Sequence, residues 1–171
     1  ALLAMKDANV EKLDSLFVGC MSSGLYVGQE HLASLMADYM GQRGIPATRV
    51  ESACASGGIS VRSAYLEVAS EMSDIVMAGG VEKMWDADDG TAILATASDQ
   101  EYEAFHGVTF PGLYAMMARS YMHEFGLTRE ELAQVPIWSH KHAVNNPNAQ
   151  YPFELTLDTV LGSSMVADPL R

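Results

Sequence analysis

"RVESACASGGISVRSAYLEVASEM", residues 49–72, is the stretch whose reading decides the fold. It follows Pro46, and "ATRVES" (47–52) reads as a short strand. Then Cys54 stands among residues of almost no bulk: Ser52, Ala53, Ala55, Ser56, Gly57 and Gly58. From Cys54 to Met72 the pattern is helical. Ser56, Ser60, Ser63 and Glu67 form a narrow small or polar face, and Ile59, Val61, Tyr65, Leu66, Val68 and Met72 cover most of the rest. That predicts a largely buried helix whose small face packs against another helix, with Gly57 and Gly58 permitting the close approach. A strand that turns into a helix with a thiol at the junction has two readings. Cys54 is a small core residue in a tight turn, or something must reach its sulfur.

Outward from this stretch the same rhythm repeats. Residues 1–9 read as the end of a helix. "LDSLFVGCM" (13–21) is a strand around Leu16, Phe17 and Val18, and "SSGLYVG" after it is a Gly-rich turn. "QEHLASLMADYMG" (29–41) places Leu32, Leu35, Met36, Tyr39 and Met40 at helical spacing. "DIVMAGGV" (74–81) is a third strand, closed by a glycine pair. Strands alternating with helices predict an α/β fold with a parallel sheet. Residues 84–112 lose the rhythm and read as irregular. "GLYAMMARSYMHEFG" (112–126) is helical, with Leu113, Met116, Met117, Tyr121 and Phe125 on one stripe, and the methionines Met116, Met117 and Met122 read as plain core. In 127–146, Thr128 and Glu131 are spaced as a capping box. The tail is rich in Pro and Asn, then extended.

The chain of 171 residues is 49% hydrophobic and 19% charged, the composition of a globular protein. Its net charge of −12 opposes nucleic-acid binding, which needs clustered positive charge. A polyanionic ligand needs local help from Arg43, Arg49, Arg62, Lys83, Arg119 or Lys141, or from helix N-termini. No apolar run reaches the roughly 20 residues of a membrane span. Cys20 and Cys54 match no metal-ligand or redox spacing, and both read as reduced thiols of a cytoplasmic protein. The chain opens on "ALLAMKDANVEK" and closes on "MVADPLR"; both ends look cut, so a fragment of a longer protein is expected.

Cys54 falls at the carboxyl end of a strand, where open α/β sheets bind ligands. A free cysteine has a pKa of about 8.5, and bringing one to about 7 requires about 2 kcal/mol. A helix N-terminus typically supplies about 0.3–1 kcal/mol. A nucleophilic cysteine here therefore needs a second activator, most simply a histidine. The bland alternative is a buried space-filling cysteine, which is the simpler reading of Cys20.

"VESACASGG" followed by "DIVMAGGVEKM" resembles the thiolase family, more narrowly its archaeal acetyl-CoA acetyltransferases and sterol-carrier-type thiolases. "GLYAMMARSYMHEFGLTREELAQV", "SHKHAVNNPNAQYP" and "MVADPL" resemble that family's loop domain and the return from it. The resemblance covers nearly the whole chain. It implies a thiolase-like fold: an N-terminal α/β domain over 1–83 lacking its first strand, a helical loop domain over 84–155, and a return segment over 156–171. Cys54 matches the cysteine that takes an acyl group from acyl-CoA, with its own N–H as one oxyanion donor. Gly79, Gly80 and Glu82 match a turn that shapes the pocket wall. Phe110, Pro111 and Gly112 match an element lining the acyl and pantetheine channel. Some relatives carry His-Met before that glycine, so the role of that histidine does not carry over to Phe110-Pro111.

The activity implied is condensation of two acetyl-CoA molecules to acetoacetyl-CoA, or its reversal, as in the mevalonate pathway. Coenzyme A thioester is the substrate, with no metal and no covalently bound cofactor. The family's second cysteine and its histidines belong to a C-terminal half that these residues do not include, so the fragment alone is expected to be inactive. A homo-dimer or tetramer, a hydroxymethylglutaryl-CoA synthase and an acyl-CoA-binding protein are the implied partners. The rivals are a ketoacyl or hydroxymethylglutaryl-CoA synthase, and a non-catalytic lipid-binding or scaffold subunit.

The other histidines carry less. His140 and His142 form an H-x-H pair short of the three or four ligands a metal usually takes. His31, His106 and His123 read as solvated or structural. Asp86, Asp88 and Asp89 read as a solvated loop rather than a Ca²⁺ site.

Overall fold

A computed structural model describes residues 1–171. The chain divides into two compact units, Ala1–Ile93 and Leu94–Arg171. The first is built on three strands, β1 (Ser15–Gly19), β2 (Ala47–Val50) and β3 (Val76–Gly80), all parallel and in the order β2-β1-β3. Gly19 pairs with Val50 on one side and Gly80 on the other, so the three carboxyl ends finish level. The expected α/β class and parallel sheet are present.

Four helices accompany the sheet: α1 (Leu2–Asp7), α2 (Ser23–Val27), α3 (Leu32–Tyr39) and α4 (Ser56–Ala69). Side chains alternate along a strand, and β1 uses both faces. Leu16 and Val18 cluster with Ala33 and Ala37 of α3, flanked by Met36, Ile45 and Met77. Gly19 meets the start of α4, which lies across all three strands. The central strand is thus covered on both sides. Burying a Leu or Val side chain contributes about 1.5–3 kcal/mol, which makes Leu16 and Val18 the anchors of this core.

Several expectations change. α4 buries Ser56, Ser60 and Ala64, and this small face rests on the sheet rather than on another helix. Its larger apolar residues are left outward: Val61, Leu66 and Val68 are exposed, Tyr65 is 71% exposed, and Met72, beyond its end, is exposed as well. α3 starts only at Leu32, because His31 takes a left-handed φ of 58°, and it buries Ala33 and Ala37 while Tyr39 is exposed. "SSGLYVG" forms a helix, α2, rather than a plain turn.

Within 84–112, α5 (Gly90–Ala95) forms after Asp89, whose carboxylate accepts the Ala92 N–H at 2.9 Å. In the second unit, α6 (Phe110–Phe125) starts from Thr109, which accepts the Gly112 N–H, and ends at Gly126 with φ 70°. Ala115 is its buried residue; of the methionines expected in the core, Met116 and Met117 are exposed and Met122 is half-buried. The capping box is present: Thr128 Oγ1 accepts the Glu131 N–H at 3.2 Å, and Glu131 accepts the Thr128 N–H at 2.8 Å. It opens α7 (Arg129–Leu132), which Ala133 separates from α8 (Gln134–Ala143). Pro136 has no N–H to offer the Leu132 carbonyl, which accounts for the break. The tail is not simply extended, since Thr156 caps a further helix, α9 (Leu157–Leu161). Asp168 accepts from Arg119 at 2.8 Å and from Arg129 at 2.5 Å. No helix is long and apolar enough to cross a membrane.

Candidate active site

Because the strands end level, the loops that follow them share one edge of the sheet. Cys54 lies in the loop after β2, inside a single turn of 3₁₀ helix, Ala53–Ala55, that runs into α4. Ser56 clamps that turn: its Oγ accepts the Ser52 N–H at 2.9 Å and donates to the Ala53 carbonyl at 2.7 Å. The Ala55 N–H donates to the Ser52 carbonyl at 2.8 Å, and the Glu51 carboxylate accepts the Ala53 N–H. Ala53 is held at φ 44°, a left-handed conformation that costs a residue with a Cβ about 1–2 kcal/mol. Strain of this kind persists only where the surroundings impose it, and here four polar contacts do so. The outcome is an exposed thiol on a tight, fixed turn.

The turn also presses on the sheet. A Cβ built on Gly19 would stand 2.3 Å from the Ser56 carbonyl oxygen and 2.7 Å from the Gly57 nitrogen. One on Gly80 would stand 3.2 Å from Gly57 Cα. A Cβ on Gly57 or Gly58 would meet nothing within 4 Å. The close approach therefore depends on the glycines that end β1 and β3, not on Gly57 and Gly58 as expected.

Glu82, from the loop after β3, reaches back over the carboxyl end of β1. Its carboxylate accepts the Met21 N–H at 2.7 Å, the Ser22 N–H at 3.2 Å and the Cys20 thiol at 3.3 Å. From the other side Arg49, in β2, donates to the Cys20 and Met21 carbonyls, both at 3.1 Å. The loop after β1 is held from both neighbours, and this is why α2 forms where the sequence reads only as a turn. Cys20 is 2% exposed, as a core residue should be, yet its thiol has a charged partner. Burial, and then Glu82, push that thiol above the ordinary range. Tyr26 of α2 is also buried; burial, then the charges of Glu82 and Cys54, push its phenol up.

The residues singled out in the sequence are thus partly gathered. Cys54, Gly79, Gly80 and Glu82 share the carboxyl edge of the sheet. Phe110, Pro111 and Gly112 make the first turn of α6, in the second unit. Sequence reasoning missed Gly19, Ser56, Arg49 as a loop clamp, and Tyr26. The level ends of the strands bring them together, and only Gly19, a glycine closing a strand like Gly80, carried a readable signal. The H-x-H pair splits: His140 Nδ1 meets the Phe153 carbonyl at 2.8 Å, while the His142 ring lies 6.1 Å from that of Trp138, tilted by 36°. His31 Nε2 lies 3.4 Å from Ser34 Oγ.

Comparison with known proteins bears on the family. Residues 1–160 match the family model "Thiolase, N-terminal domain". The chain is 58% identical over 170 residues to an acetyl-CoA acetyltransferase of Methanothermobacter thermautotrophicus, covering 98% of this chain and 44% of that protein. It is 57% identical over 159 residues to an acetyl-CoA acetyltransferase of Methanocaldococcus jannaschii, covering 93% and 41%. With the benzoylsuccinyl-CoA thiolase subunit BbsB of Thauera aromatica it shares 36% over 175 residues, covering 99% and 44%. The chain spans less than half the length of these relatives. A parallel sheet with an exposed cysteine at its carboxyl edge, and a match to the N-terminal domain over almost the full chain, place it in the thiolase family.

Proposed function

We propose that the protein is a thiolase-type acyltransferase that joins two acetyl-CoA molecules into acetoacetyl-CoA, or runs the reverse, through an acyl-cysteine at Cys54. The observation that carries this reading is the exposed thiol on its clamped turn, in a chain 58% identical to an acetyl-CoA acetyltransferase. The Cys54 thiolate attacks the thioester carbonyl carbon. A new C–S bond forms, the bond to coenzyme A breaks, and coenzyme A leaves as a thiolate that takes up a proton. A base then removes a methyl proton from the second acetyl-CoA. The resulting carbanion attacks the acyl-cysteine carbonyl and releases the Cys54 thiolate. We assign the base, and the histidine that activates Cys54, to a C-terminal half. The backbone N–H of Cys54 is our candidate oxyanion donor. Gly80 and the segment Phe110, Pro111 and Gly112 are our candidates for lining the acyl and pantetheine channel, with 84–155 as a loop domain.

The same reading makes the protein a cytoplasmic homo-dimer or tetramer with no metal and no covalent cofactor, associated with a hydroxymethylglutaryl-CoA synthase and an acyl-CoA-binding protein. Exposed apolar residues on α4 support a partner surface, whereas its small face is already used against the sheet. The test is acylation. Full-length protein incubated with acetyl-CoA carries an acetyl group on the peptide containing Cys54, seen by mass spectrometry. No adduct, or one that survives Cys54→Ala, overturns the reading.

A further inference from the structure

The peptide that joins Ala53 to Cys54 carries the Cys54 N–H at one end and the Ala53 carbonyl at the other. A trans peptide is planar, so these two groups point in opposite directions, and whatever holds the carbonyl aims the N–H. Ser56 holds it twice. Its Oγ donates to the Ala53 carbonyl at 2.7 Å, and its backbone N–H donates to the same oxygen. The Oγ also accepts the Ser52 N–H at 2.9 Å, so one hydroxyl ties together both sides of the residue held at φ 44°. Rotation about φ of Ala53 swings the Ala53–Cys54 peptide against the peptide before it. That preceding peptide is fixed by the Glu51 carboxylate on its N–H and by the Ala55 N–H on its carbonyl. Ser56 is itself anchored: it is 5% exposed, and its carbonyl lies against Gly19 at the end of the central strand. The Cys54 N–H has no acceptor in the chain.

We propose that Ser56 is a positioning residue for the acylation of Cys54, its hydroxyl aiming the Cys54 N–H at the oxygen of the thioester carbonyl. When the sulfur attacks that carbonyl carbon, the electron pair of the C=O π bond moves onto oxygen. It returns as the bond to coenzyme A breaks and the thiolate leaves. A donor already pointed at that oxygen stabilises the charge without reorganising, and a donor turned aside does not. Without the hydroxyl, Ala53 relaxes from a left-handed conformation that is unfavourable for a residue with a Cβ, and the Cys54 N–H turns with it. The role concerns charge on the acyl oxygen and not ionisation of the thiol. This inference rests on the reading of Cys54 as the acyl-carrying nucleophile.

The experiment compares two rates at Cys54 in full-length protein, each resolved to the residue by fragmentation mass spectrometry. Acetylation by acetyl-CoA passes through an oxyanion; alkylation by iodoacetamide displaces iodide at a saturated carbon and forms none. In Ser56→Ala the ratio of acetylation to alkylation falls about 10- to 100-fold, the effect of misaiming one preorganised donor. The alkylation rate and its pH profile stay those of the parent. Adding Ala53→Gly to Ser56→Ala recovers part of the ratio, since glycine takes the left-handed backbone without steric penalty. Ser56→Cys fills the same space with a weaker donor; it lowers the ratio too, and it carries the test where Ser56→Ala does not fold. A parent-like ratio in either folded variant overturns the inference, and so does alkylation that falls in step with acetylation or a ratio that Ala53→Gly leaves unchanged. Failure of both variants to fold makes the hydroxyl structural and overturns it as well. Acetylation of Cys54 in the parent is measured in the same series, so failure of this inference is told apart from failure of the acyl-cysteine reading.

Discussion

At the scale of single residues, the polar group that organises this edge of the sheet is Glu82. A carboxylate accepting two backbone N–H groups and a thiol ties the loop after β1 to the loop after β3. Its effect on Cys20 gives a pH dependence with a definite sign. The Cys20 thiol is raised by burial and by Glu82, so the folded state holds its proton more tightly than the unfolded state does. The associated stability is fully present below the ordinary thiol value and is lost as pH rises through the higher folded value. Tyr26 adds the same sign above its ordinary value of 10.0. Unfolding midpoints measured in urea from pH 8 to 11 should therefore fall on the alkaline side, and Cys20→Ala should flatten the first part of that fall. At the acid end Glu131 acts in the opposite direction. The Thr128 N–H and hydroxyl hold its carboxyl below the ordinary 4.5, so its contribution is present above that value and lost as pH falls through the lower folded value.

At the scale of elements, the decisive contact is the start of α4 against the ends of β1 and β3. It sets where Cys54 stands, and glycines make it. Gly19→Ala would drive a methyl into the Ser56 carbonyl and the Gly57 nitrogen, backbone atoms that cannot rotate aside. Gly79→Ala would meet nothing within 4 Å. The expected result is a loss of about 1–3 kcal/mol for Gly19→Ala, as for overpacking elsewhere, and little change for Gly79→Ala. Denaturant titration of the two variants checks it, and equal stabilities would contradict the contact. The same region shows the limit of reading elements from periodicity. Strands β1 to β3 and helix α4 were legible because their apolar runs and their breaks at glycine are local. Helix α2 was not, because its start depends on Glu82, some sixty residues away in sequence. The break at Ala133 was legible in principle, since Pro136 is local.

At the scale of the whole molecule, α4 leaves Val61, Tyr65, Leu66 and Val68 outward, an apolar face open to a C-terminal half or to a second subunit. The full-length protein is expected to elute above its monomer mass at micromolar concentration in size-exclusion chromatography with light scattering. Strictly monomeric behaviour would count against the oligomer. The sequence by itself determined the α/β class, the parallel order of strand and helix, the capping box, and Cys54 as the residue to ask about. These follow from patterns within a few residues of one another, and from motifs that the family model matches over residues 1–160. Only the tertiary structure decided which face of α4 meets the sheet, that Gly19 and Gly80 rather than Gly57 and Gly58 permit the contact, and that Arg49 and Glu82 hold the loop after β1 from both sides. The physical reason is register. Three parallel strands that end level bring distant loops to one edge, and no local pattern in the chain records which side chains will meet there.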